Sequence, residues 1–169
     1  INKVLMIIKN DFPVIKRRLL FWKANLHAVS GETSLTFNYI NEAYSLKNSE
    51  TNLWKVEEST LLGLFNYIAG KNKEAIFFHK KSKSLNLNFP DHFLSVFNSA
   101  MALRTAIKVF DSHMFSEFTN ELERHSTIDE FKRYRLRLFG FKAIIFLQNG
   151  DKVYAQKYWQ IADKFLPET

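Results

Sequence analysis

Apolar and small residues recur along this chain at spacings of three and four, the period of a helix that buries one face. One such stretch runs from Phe21 to Gly31 and another from Ser59 to Gly70. Ala24 matches Gly63 and Gly31 matches Gly70, each at an offset of 39 residues. A second amphipathic stretch follows each glycine, Ser34–Leu46 and Lys73–Leu85, and there Ala43 matches Ser82 at the same offset. A further copy closes the chain: Phe139, Ala143 and Phe146, then Asn149-Gly150-Asp151, then Ala155, Trp159, Ala162 and Pro167. Gly63 and Ala143 stand 80 residues apart, two periods. The unit between them, Phe93–Phe110 and Met114–Glu123 around Asp111-Ser112, is the least regular.

A repeat of this length predicts paired helices that cannot bury their apolar faces alone and must stack. The expected fold is all-α: four antiparallel helical hairpins in one domain over residues 1–169, preceded by a short helix or strand-like segment. The turns fall near Gly31, Gly70, Asp111 and Gly150. Glycine accepts the positive φ that ends a helix sharply, and small residues at mid-helix let partner helices approach. Capping chemistry marks the boundaries. Thr127-Ile128-Asp129-Glu130 fits a capping box, Asp91 and Asp151 are candidate N-caps, and Pro13 suits a first helical turn. In this register Trp159 is buried against the preceding helix, near Phe139 and Phe146.

Composition agrees with long helices. Apolar residues make up 46% of the 169, Phe numbers 17, and Gly and Pro only 5 and 3. With no Cys, disulfides, thiolate metal sites and thiol catalysis are excluded, and a reducing, cytoplasmic setting is expected. The apolar run Val4–Ile8 is far too short for a membrane span and lacks a signal-peptide cleavage site. The chain opens on Ile1, so it reads as a piece of a larger protein. Its net charge of +7 is uneven: residues 1–89 hold 13 Lys or Arg against 7 Asp or Glu, and residues 90–169 hold 11 against 10. A basic N-terminal half suits either a solvated surface or an anionic partner such as nucleic acid.

The last unit resembles the tetratricopeptide repeat family in Phe139, Ala143, Phe146, Ala155, Trp159, Ala162 and Pro167, departing from it at Lys142. The unit from about residue 56 keeps Leu62, Gly63, Gly70, Ala75 and Ser82. The unit from about residue 17 keeps Leu20, Ala24 and Ala43 and departs at Lys23 and His27. The period exceeds the family's usual one of about 34. The degenerate units resemble those of bacterial cytoplasmic regulators that sense signalling peptides. The resemblance implies a non-enzymatic interaction domain that holds a protein or peptide segment, the sensor part of a larger regulator.

Motifs for chemistry are scarce. There is no P-loop, GxGxxG, GxSxG or HExxH, and the five histidines form no i, i+4 pair, so no cofactor, metal or catalytic residue is expected. Glu57-Glu58 and Asp129-Glu130 sit near helix starts, where negative charge complements the helix dipole. Lys16-Arg17-Arg18 and the run Lys132–Arg137 read as solvated faces, with Arg133 and Arg137 one turn apart. First helices line the concave surface of a hairpin stack, and the ligand contacts expected there are Arg18, Asn25, Tyr67, Arg137 and Gln148. Their basic character favours an acidic segment or a free carboxylate. The alternative is a nucleic-acid-binding protein that uses the basic N-terminal half.

Overall fold

The same two hydrogen bonds close all four predicted turns. In the computed structural model, which describes residues 12–46, 52–88, 92–127 and 133–166, the Gly31 amide donates to the Ala28 carbonyl and the Glu32 amide to His27. The corresponding bonds are Gly70 to Tyr67 and Lys71 to Asn66, Phe110 to Ile107 and Asp111 to Ala106, and Gly150 to Leu147 and Asp151 to Phe146. This pair of bonds is the Schellman arrangement, which needs one residue at positive φ just past the helix. Gly31, Gly70 and Gly150 lie at φ 79, 75 and 81°, and Phe110 takes the same place at 57°. The third unit looks irregular in sequence because a phenylalanine stands where its neighbours have glycine. Counted from these residues, the hairpins repeat at 39, 40 and 40.

The turns join eight helices, and the described residues contain no strand. They are α1 (Pro13–Val29), α2 (Thr33–Ser45), α3 (Asn52–Ile68), α4 (Asn72–Asn88), α5 (His92–Val109), α6 (Ser112–Ser126), α7 (Arg133–Gln148) and α8 (Lys152–Asp163). The fold is thus all-α with neighbouring helices packed in pairs. Pro13 opens α1 as expected. Asp111 and Asp151 cap α6 and α8 by accepting from the amides of Met114 and Tyr154. The proposed segment before α1, Asp91, and most of the capping box after Thr127 lie outside the described residues.

Contacts divide the chain into two compact units, residues 1–85 and 86–169. In the first, α1 packs on α2 and α3. Phe21 is its hub, meeting Trp54 edge-on at 5.2 Å, Tyr44 at 5.6 Å and Phe65 at 6.4 Å. Gly63 lets α4 approach α3, for an added Cβ would stand 2.5 Å from the ring of the fully buried His79. One turn further along, the buried hydroxyls of Thr60 and Ser82 meet at 2.6 Å. In the second unit α5 pairs with α6 and α7 with α8, and α7 packs on both α5 and α6. Leu103, Met114, Phe118, Leu122 and Leu138 form its core.

Candidate functional site

Counted from each turn residue, the ninth position beyond it is Ile40, His79, Thr119 and Trp159. The first three are 5, 0 and 6% exposed, whereas Trp159 is 59% exposed. The expectation that Trp159 is buried near Phe139 and Phe146 is therefore corrected. Tyr158, one residue earlier, takes that place, stacking on Phe146 at 5.4 Å and on Phe139 at 6.3 Å. Tyr154, one turn before, also stacks on Phe146, at 5.4 Å. The aromatic ladder on α8 thus faces α7 one residue out of the expected register. A step of one residue turns a helix by about 100°, which swings Trp159 away from Phe139.

Trp159 instead borders an open cleft of about 390 Å³, together with Ala143, Ile144, Leu147, Lys152, Ala155 and Gln156. Its floor is almost wholly apolar because Ala143 and Ala155 bring α7 and α8 close together. Leu147, 58% exposed, and Ile144 form one wall and Trp159 the other. In the preceding hairpin the matching positions Leu103, Phe115 and Thr119 are buried. Ala143 and Ala155 are themselves buried, at 5 and 8% exposure, so of these three positions only Trp159 differs from its counterpart.

Arg137 and Gln148 lie on this hairpin, and both are exposed. Their spacings from Ile144, seven and four residues, place them on its stripe of α7. The Arg137 guanidinium lies 5.3 Å from the Tyr134 ring. The side chain of Arg135 turns elsewhere and caps α6, its Nε donating to the Ser126 carbonyl at 2.8 Å. Lys142, the departure from the repeat pattern, pairs with Glu123 and lies over the Tyr158 ring.

The other three expected contacts belong to the first unit. Arg18 is half-exposed, with its Nε 2.7 Å from Glu57 Oε2. Asn25 and Tyr67 are half-buried, and Asn25 Oδ1 accepts no hydrogen bond among the described residues. Beside Arg18 stands a buried cluster that sequence reasoning missed. Arg17, only 6% exposed, donates to Glu58 at 3.1 Å and sits over the rings of Tyr44 and Trp54. Glu57 is buried and accepts from the Trp22 indole at 2.5 Å. Partial burial and the Glu58 carboxylate together push the Tyr44 phenol well above its usual range. Arg17 is thus no solvated face. Glu57 and Glu58, in the second turn of α3, pair across to α1 instead of only complementing a dipole. Adjacent residues point apart, so each carboxylate meets a different arginine.

Two histidines are likewise built into the packing. His79 lies against Gly63, and His27 pairs with Glu32 and stacks on Tyr39. Among the described residues no group of three or more His, Cys, Asp or Glu could hold a metal ion, and no helix is long and apolar enough to cross a membrane. No family model matches the chain, and no curated protein or solved structure is significantly similar to it.

Proposed function

We propose that this chain is a non-enzymatic binding domain that takes a protein or peptide segment. The likeness of its degenerate units to those of peptide-sensing regulators makes it, in this reading, the interaction part of a larger cytoplasmic regulator. The observation that carries the proposal is the cleft around Trp159. An open apolar cleft with a large exposed aromatic is the usual form of a binding hot spot. The charged cluster around Arg17 is internally paired, which suits a structural role. The test is selection of peptides from a random display library on the immobilised chain, repeated with Trp159→Ala. Sequences should enrich on the parent and fail on the variant. Enrichment indifferent to Trp159, or none, defeats the proposal.

A second reading rests on α4. Phe77, 60% exposed, stands one turn from Lys73, Lys80 and Lys81, all exposed. An aromatic among lysines can stack on a base while the cations meet phosphates. This reading requires binding to single-stranded DNA or RNA that weakens steeply with salt and is lost in Phe77→Ala. Salt-insensitive binding, or none, removes it.

A further inference from the structure

We infer that the outward face of α4 takes a single strand of nucleic acid, with one base stacked on Phe77 and the neighbouring phosphates on Lys73, Lys80 and Lys81. This deepens the second reading above, on which it rests, by naming the form of nucleic acid and the size of its footprint.

The face is defined within one hairpin. Ala75, His79 and Ser82, at spacings of four and three, are buried. His79 lies against Gly63 of α3, and Ser82 bonds to Thr60 of the same helix. Lys73, Phe77, Lys80, Lys81 and Ser84 each stand two residues from one of these, about 200° around the helix. They therefore point away from α3, and all five are exposed.

The other three hairpins show what the fold asks of this face. Counted from the turn residues, the place of Phe77 is held by Asn38, Glu117 and Lys157. Lys80 and Lys81 stand where α2 has Asn41 and Glu42 and α6 has Asn120 and Glu121. Packing thus requires no aromatic here, and Phe77, 60% exposed, adds little burial. Phe78 meets its ring nearly at right angles, with centroids 5.2 Å apart, which restrains it. The lysines are not used within the chain either. Lys73, Lys80 and Lys81 join no ion pair among the described residues, whereas Arg17, Arg18 and Lys142 each meet a glutamate.

The occupant follows from this mixture. Lys73 precedes Phe77 by one turn, and Lys80 and Lys81 follow it by one. The cations so flank the ring over seven to eight residues, roughly 11–12 Å along the axis. A strand that advances about 3.4 Å per phosphate places about three phosphates in that length. An exposed ring accepts the flat face of any base. In a duplex those faces are covered by the neighbouring pairs, so the ring selects a single strand. A partner that is only acidic would engage the lysines and leave the ring idle. An anionic bilayer would find one exposed large apolar side chain between residues 73 and 84, less than the stripe an interfacial helix buries.

The experiment measures fluorescence anisotropy of labelled oligothymidine and oligouridine, each about ten nucleotides long, against the full chain. Both should bind in preference to a duplex of the same length. The logarithm of affinity should fall against that of salt with a slope of about −2, three contacts at about −0.7 each. Phe77→Ala should weaken binding roughly fivefold or more and leave the slope as it was. The double variant Lys80→Gln, Lys81→Gln should flatten the slope to about −0.7. Thermal unfolding of each variant checks that the fold is intact. Equal or better binding of the duplex, or competition by inorganic polyphosphate as effective as by a single strand, overturns the inference. Phe77-dependent binding to vesicles of phosphatidylserine and phosphatidylcholine, with none to the strands, overturns it in favour of a membrane surface. If single strands bind through Phe77 and weaken with salt while the lysine variant keeps the parent slope, the inference falls and the nucleic-acid reading stands. If no strand binds, both fall.

Discussion

Two single residues show how sterics set the repeat. Gly63 owes its place to the His79 ring, which occupies the space a side chain would need. Alanine is the better helix former by about 1 kcal/mol, yet overpacking a core costs about 1–3 kcal/mol. With the ring fully buried, the clash wins. Gly63→Ala should destabilise by roughly 1–2 kcal/mol in urea unfolding, and combining it with His79→Ala should cost less than the two separately, because the clash is shared. Additive costs would show that the ring simply moves aside. Phe110 is the opposite case. It holds a left-handed conformation that costs a side-chain-bearing residue about 1–2 kcal/mol, and at 72% exposure it recovers little by packing. Phe110→Gly should therefore stabilise by about 0.5–1 kcal/mol, the strain released less the added chain entropy. A loss of stability would reveal packing that outweighs the strain.

At the scale of the element, hairpins and turns were legible in the sequence and the pairing of charges was not. Gly31, Gly70 and Gly150 announce their turns because a local geometric demand falls on one residue type. Asp111 announced the third, although the strained residue beside it is a phenylalanine. The Arg17–Glu58 pair links residues 41 apart on different helices, and nothing in the local pattern of Lys16-Arg17-Arg18 distinguishes the arginine that turns inward. Periodicity locates an apolar face to within one residue, and that tolerance is why Tyr158 and Trp159 exchanged roles. The cluster makes its own prediction. Removing one partner of a buried ion pair strands the other, at a cost of about 3–5 kcal/mol. Glu58 keeps some contact with solvent, so Arg17→Met should cost near the lower end of that range in denaturant unfolding. A change under about 1 kcal/mol would class the pair with ordinary surface bridges.

For the molecule as a whole, the question is what its exposed tryptophan contributes to stability. Truncating a buried tryptophan costs about 3–5 kcal/mol. Trp159 is more than half exposed, so Trp159→Ala should lower thermal stability only slightly, by under about 1 kcal/mol, the scale of surface substitutions. That variant separates binding from folding: intact unfolding with lost peptide capture is the outcome expected of an interaction residue. A large drop in melting temperature would return Trp159 to the core. The packing of α8 also has a consequence in time. α8 leans chiefly on α7, so it can detach without disturbing α5 and α6, and its local opening needs less free energy than global unfolding. In deuterated buffer the backbone amides of α8 should exchange well before those of α5. A partner seated on the cleft should slow that clock for α8 most of all, and leave the labelling of α1 as it was.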